Sequence, residues 1–207
     1  MKKIISIALV IIALVQSSFG SDAAPKPCCS TNKLEATANK APFSDASLYN
    51  LDAAWTNDRG ESARLAQFHG KPVFLTMFFA RCAYACPLLV NDAKRIQAAL
   101  SPEGRSKVQF VFVSFDSEND TVEALAEFRK RHRLGDEFHL LRGSPDDVLE
   151  LALLLDVKFV KEQNGQFAHS NVSTLLSPTG EIAFQHKGLS RPVEPAVQAV
   201  VAQLAKP

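Results

Sequence analysis

The hydrophobic pattern of this chain is dominated by two short runs of β-branched and aromatic residues, Pro72-Val-Phe-Leu-Thr-Met-Phe-Phe79 and Lys107-Val-Gln-Phe-Val-Phe-Val-Ser-Phe115. Short, continuous apolar runs of this kind read as strands inside a sheet, the first of them central and buried. Between them Leu88, Leu89, Ala93, Ile96 and Leu100 recur at helical spacing, with Asp92, Lys94, Arg95 and Gln97 supplying a polar face. Strand, helix and strand make a βαβ unit with its crossover. Ser101-Pro-Glu-Gly104 reads as the loop after the helix.

Ahead of this unit, Ala53-Ala-Trp-Thr56, the turn residues Asn57-Asp-Arg-Gly60 and Glu61-Ser-Ala-Arg-Leu65 predict a hairpin-like entry. Behind it, a helix is expected from Thr121 to Arg133 with Gly135 as its stop, then a short strand at Phe138-His-Leu-Leu141. Ser144 caps the next helix, with Pro145 at its first position and Asp146 and Asp147 near the positive dipole end. Two hairpins follow, one around Asn164-Gly165 and one around Ser177-Pro-Thr-Gly180, and a closing helix runs from about Val193 to Leu204. This order predicts an α/β, thioredoxin-like fold: a mixed central β-sheet flanked by helices, with an N-terminal β-hairpin extension. In such open sheets ligands gather beyond the carboxyl ends of parallel strands.

Composition changes this picture little, but the N-terminus changes it more. The chain has 207 residues, 46% of them hydrophobic, which supports one domain with a sizeable core. A formal charge of +1 gives no electrostatic basis for binding nucleic acid or an anionic membrane. Lys2-Lys3, the apolar stretch Ile4 to Val15 and the small residues Ser18 and Gly20 read as a secretory signal peptide over residues 1–20. Its apolar run of about 12 residues fits a signal and falls short of the roughly 18 needed to span a bilayer. The expected location is across the inner membrane, in the periplasm, where disulfides persist. An uncleaved signal would anchor the chain, so membrane contact is expected only through that segment or through a partner.

Residues 21–46, rich in Pro, Ala and small polar residues, read as a flexible linker ahead of a folded domain over residues 47–207. The linker carries Cys28-Cys29, candidate accessory thiols that would capture metal or resolve a disulfide; the alternative is an incidental tail. Pro27 before Cys28 argues against lipidation.

The candidate chemistry lies where the first apolar run ends, at Cys82-Ala-Tyr-Ala-Cys86. A helix start presents free N–H groups and a positive dipole end, which favour thiolate over thiol. Residues four apart on a helical turn share a face, so a disulfide and a two-sulfur metal site are both open. The thioredoxin-type redox motif has two intervening residues and this one has three. Soft thiolate pairs select Cu(I) or zinc, and an added imidazole also admits Cu(II). Five histidines could supply it. His132 sits in a basic helix end, His69 and His186 stand beside glycines, and His139 lies in an apolar strand. His169 closes the segment after the Asn164-Gly165 turn, from where a loop could lean over the sheet's end.

Three stretches carry a family resemblance. Gly70-Lys-Pro-Val-Phe-Leu-Thr-Met-Phe-Phe-Ala-Arg-Cys-Ala-Tyr-Ala-Cys-Pro87 resembles the Gly-Lys, strand and Cys-x-x-x-Cys-Pro signature of the Sco/SenC copper chaperones. Phe112-Val-Ser-Phe-Asp-Ser-Glu-Asn-Asp-Thr121 is similar to that family's strand with its Asp-rich turn, and His169-Ser170 before Ser177-Pro-Thr-Gly180 to the segment bearing its third copper ligand. The resemblance covers roughly Ser47 to Leu204. It implies a copper ion, Cu(I) or Cu(II), held by Cys82, Cys86 and His169, and a role in assembling the dinuclear copper centre of cytochrome c oxidase, by delivering copper or by maintaining the partner's thiols. The implied partner is a copper-accepting oxidase subunit or another copper or thiol protein. Two positions depart from the family pattern: Ala83 stands where Pro usually follows the first cysteine, and Ala168 where Asp usually precedes the histidine. The second change removes a side chain that would orient the imidazole.

The competing reading is an extracytoplasmic thiol-disulfide oxidoreductase in which Cys82 and Cys86 are the catalytic redox pair. A plain stabilising bridge is the weakest alternative, because stabilisation from a crosslink grows with the loop it closes. Zinc in place of copper lacks an evident fourth ligand.

Overall fold

The structure is a computed structural model and describes residues 43–206. The signal-like segment over 1–20 and Cys28-Cys29 in the linker lie outside the described residues.

Nine strands and five α-helices are arranged in chain order as β1 (Trp55–Asn57), β2 (Ser62–Ala63), β3 (Val73–Phe78), α1 (Ala85–Ala99), α2 (Pro102–Lys107), β4 (Gln109–Ser114), α3 (Val122–His132), β5 (Phe138–Arg142), α4 (Pro145–Leu154), β6 (Phe159–Lys161), β7 (Phe167–His169), β8 (Val172–Leu176), β9 (Ile182–Lys187) and α5 (Glu194–Leu204), all among the described residues. Seven strands form one sheet in the order β2-β1-β5-β4-β3-β8-β9, and β6 and β7 form a separate two-stranded ribbon. The strands β3, β4 and β5 are parallel, whereas β8 pairs antiparallel with β3 and with β9. The mixed sheet flanked by helices is the α/β, thioredoxin-like plan, and the β1–β2 hairpin extends it beyond β5.

Every residue of β3 is buried, as a central parallel strand requires. Its one hydroxyl, on Thr76, donates to Ser173 Oγ at 2.8 Å across the β3–β8 pair, so no buried polar group is stranded there. Burial of Phe74, Phe78, Phe110, Phe112, Phe128 and Phe138 supplies most of the large apolar side chains at the centre of the core. The β8–β9 turn packs close under Ser47 and Tyr49. At Gly180, with φ of +86°, a Cβ would stand 2.6 Å from both, so only glycine fits.

Two expectations are corrected. Ser101-Pro-Glu-Gly104 is not a loop but the start of α2: Ser101 Oγ accepts the Gly104 N–H and Pro102 occupies the first turn. Gly135 does not stop α3, because Arg133 already ends it in the left-handed conformation, at φ of +49°.

Candidate metal centre

The site begins where β3 ends. Phe79 and Ala80 remain buried, the chain turns through Arg81 to Tyr84, and α1 starts at Ala85. This turn is fixed from below by Asp120, whose Oδ2 accepts the Ala80 N–H at 2.8 Å and the Ser114 hydroxyl. At its rim the Arg81 guanidinium pairs with the buried Asp116 carboxylate at 2.7 Å. Both acids come from the connection after β4, so the parallel β3–β4 pair sets the thiol turn directly beside them.

Cys82 is 9% exposed and Cys86 fully buried, and neither is disulfide-bonded. Cys86 belongs to the first turn of α1, and its backbone N–H donates to Cys82 Sγ at 3.3 Å. The sulfur thereby takes one of the donors that a helix start leaves unpaired. The Cys82 thiol is lowered to about 4, above all by a hydrogen bond from the Cys86 side chain, then by the backbone N–H groups of Cys86 and Tyr84 and by His169, against a burial effect that raises it. The Cys86 thiol is pushed up, first because it donates to Cys82 and then by burial. The pair thus holds one proton, on Cys86, and one negative charge, on Cys82. Tyr84, between them, is 76% exposed.

His169 ends β7. The ribbon packs on the end of the sheet through a cluster of rings: Phe167 against Phe79 and Phe115 at centroid distances of 5.2 and 5.1 Å, and Phe159 stacked on Phe115 at 5.1 Å. The His169 ring lies in this cluster, 5.1 Å from Phe115 and 6.0 Å from Phe79. Its Nδ1 is 3.1 Å from the Ser170 carbonyl oxygen. A carbonyl only accepts, so this contact puts a hydrogen on Nδ1 and leaves Nε2 as the ring nitrogen available to a metal. Ser170 is itself held to Lys158 by main-chain and hydroxyl hydrogen bonds. Ala168 is exposed, while its neighbours Phe167 and His169 turn toward the rings, as strand alternation requires. The orienting contact expected from a side chain at position 168 is made by backbone instead.

Donor atoms of Cys82, Cys86 and His169 lie within 4.8 Å of one another. Three of the other four histidines are occupied elsewhere. His139 shares a 2.6 Å hydrogen bond with Gln109, His132 packs on Phe128 and His69 on Phe43. His186, read from its neighbouring glycine as a strand-end residue, is buried within β9 with its Nε2 unpartnered. Two buried soft sulfurs and one half-buried imidazole suit copper in either oxidation state, whereas a structural zinc site would need a fourth ligand.

The contributions of Asp120, the Ser170 carbonyl and the phenylalanine cluster were not assigned from sequence. Asp116 and Asp120 stood out only as an Asp-rich turn, and no local signal ties them to the thiols.

The SCO1/SenC family profile matches residues 45–205. The mitochondrial SCO1 homolog 1 of Arabidopsis thaliana is 28% identical over 156 residues, covering 71% of this chain and 45% of that protein. In general this chain spans about half the length of the curated relatives it matches. Among solved structures, Arabidopsis thaliana ScoI with copper bound superimposes with a TM-score of 0.63 at 24% identity, covering 73% of this chain and 95% of that one. BsSco, described as a member of the Sco family of cytochrome c oxidase assembly proteins with a disulfide switch, superimposes with a TM-score of 0.64 at 25% identity over 74% of this chain and 92% of its own.

Proposed function

We propose that this chain, which belongs to the SCO1/SenC family, carries one copper ion on Cys82, Cys86 and His169 and serves the copper site of a partner, that of cytochrome c oxidase being the expected one. The observation that carries this reading is the convergence of two sulfurs and an imidazole within 4.8 Å, drawn from elements more than eighty residues apart. Copper is the cargo here, so its ligands must hold it and also let it go. Cys82 is already a thiolate and can take the ion first, while Cys86 must give up its proton before it adds a second sulfur. His169 supplies a neutral donor from a ribbon outside the main sheet. Incoming partner thiolates can approach past Tyr84, which is exposed. The lysine pair and apolar run at the N-terminus support export to the periplasm as the setting for this exchange.

The asymmetry of the thiols favours a second reading in which the same pair reduces a partner disulfide. The Cys82 thiolate attacks one sulfur of that disulfide, forming a mixed disulfide and releasing one partner thiolate. Cys86, once deprotonated, attacks Cys82 to close the Cys82–Cys86 disulfide and release the second, so the partner gains two electrons and this pair loses them.

Anaerobic copper titration of the reduced protein with optical detection distinguishes the readings. About one copper per chain is expected, lost in Cys82→Ser and Cys86→Ser and weakened in His169→Ala. Full copper retention in His169→Ala would remove the imidazole from the site. Absence of copper binding, with disulfide reductase activity that vanishes only in the cysteine variants, would transfer the function to the oxidoreductase reading.

A further inference from the structure

We infer that Arg81 is a positioning residue that latches the β6–β7 ribbon over the thiol turn and so governs how readily His169 leaves the copper; the inference rests on the copper reading above. Arg81 immediately precedes Cys82. Its Nη2 donates both to Asp116 Oδ2, at 2.7 Å, and to the carbonyl oxygen of Gly165, at 3.3 Å. Gly165 lies at the tip of the ribbon, in the left-handed conformation that the turn requires, with φ of +76°. One guanidinium nitrogen therefore joins three pieces of chain: the thiol turn, the connection after β4, and the arm that carries His169.

The two acceptors differ in strength. The Asp116 side chain is 1% exposed, and it is fixed further by the Asn119 side-chain amide at 2.8 Å. That end of the latch is rigid. The Gly165 end is a single, longer bond to a neutral carbonyl, and the Arg81 side chain is 44% exposed. A bond of this kind is the one expected to break first.

Among the described residues, the rest of the ribbon's attachment has no comparable polar anchor close to the proposed ligands. The ribbon's strands pair only with one another among the described residues, and a lone two-stranded ribbon is marginal in water. Its inner side rests on Phe79 and Phe115. A second ion pair, Lys161 with Glu118, is largely exposed at both ends and weak accordingly. The phenylalanine contacts are non-directional and allow the ribbon to rock, whereas Arg81 sets the height of its tip above Cys82. Arginine suits the task because its charge persists at any working pH and its fork reaches two acceptors.

The test is amide hydrogen exchange of residues 159–169 in reduced, metal-free protein, read by mass spectrometry beside the amides of β3 and β4. Arg81→Met is expected to speed ribbon exchange roughly three- to tenfold, the range for losing one partly exposed, charge-assisted hydrogen bond, and to leave β3 and β4 unchanged. Because this variant also leaves Asp116 unpaired, Arg81→Met is combined with Asp116→Asn. The double variant is expected to exchange as fast as the single one. Copper passed from loaded Arg81→Met to bathocuproine disulfonate is expected to leave faster by a similar factor. Unchanged ribbon exchange in Arg81→Met, or protection regained in the double variant, overturns the latch. A wild-type protein that takes up no copper overturns the copper reading alone, since the exchange measurement needs no metal.

Discussion

A single proton decides how the thiol pair responds to pH. Cys82 titrates at about 4 in the fold, against a thiol value near 9 in the unfolded chain. Between those values the folded chain binds fewer protons at this position than the unfolded one, so stability rises with pH there, is complete above the unfolded value and is lost as pH falls toward 4. Cys86 has the opposite sign: its stabilising effect is present below the unfolded thiol value and is lost above it. Reduced, metal-free protein is therefore expected to gain thermal stability from pH 5 to pH 8 through Cys82, and Cys82→Ser to flatten that gain. Identical pH dependence of the two melting midpoints would refute the assignment of the proton to Cys86. Asp120, beneath the same turn, is raised above the usual carboxylate range, first by its burial. Asp120→Ala strands the Ala80 N–H and the Ser114 hydroxyl and is expected to cost about 1–3 kcal/mol in urea unfolding. Asp120→Asn keeps an acceptor and avoids a buried charge, so it should cost less; equal costs would show that the hydrogen bonds do not matter. Whereas His169 is one of five histidines and is singled out by the family resemblance, the two cysteines could be named from their type and spacing beside a turn. Asp120, Arg81 and the Ser170 carbonyl could not, since their roles arise from contacts across 40, 35 and 84 positions or from the backbone itself.

Elements were legible where hydrophobic period and turn chemistry agreed. The runs that became β3 and β4 are mostly apolar and rich in β-branched and aromatic residues, and Asn164-Gly165 and Ser177-Pro-Thr-Gly180 mark their hairpins by conformations that few residues adopt. The misreadings fall at helix ends. Ser101-Pro102 starts α2 by the same cap and proline that Ser144-Pro145 supplies to α4, but α2 is only six residues long and its periodicity gives no signal. Arg133 ends α3 in a conformation that favours glycine, and its N–H still reaches the Arg129 and Lys130 carbonyls. Two outcomes follow from these caps. Ser101→Ala removes the acceptor for the Gly104 N–H and should destabilise the protein by about 1 kcal/mol. Arg133→Gly relieves the left-handed strain and should stabilise it by about 0.5–1 kcal/mol, the bonds of the Arg133 carbonyl being kept. Urea midpoints measure both, and a destabilised Arg133→Gly would mean that its side chain contributes more than its backbone costs.

At the scale of the whole molecule, the fold places two of the proposed copper ligands on a rigid part and the third on a loosely attached part. Cys82 and Cys86 stand at the junction of a fully buried strand with α1. His169 ends a ribbon that joins the sheet through four phenylalanines and a few polar contacts. A metal bound by all three would close the gap between these parts, so its binding free energy should appear partly as protection of the ribbon. At free copper one hundred times its Kd, the linkage relation gives about 2.7 kcal/mol of added stability, which for a domain of this size corresponds to roughly 5–10 °C in the melting midpoint. In His169→Ala the two sulfurs can still hold the ion, but the ribbon gains nothing from it. Copper should therefore slow exchange at both the start of α1 and residues 159–169 in the wild-type protein, and only at the start of α1 in His169→Ala. If copper protects the ribbon equally in both proteins, the coupling runs through the phenylalanine cluster and not through the imidazole, and His169 loses its place as the third ligand.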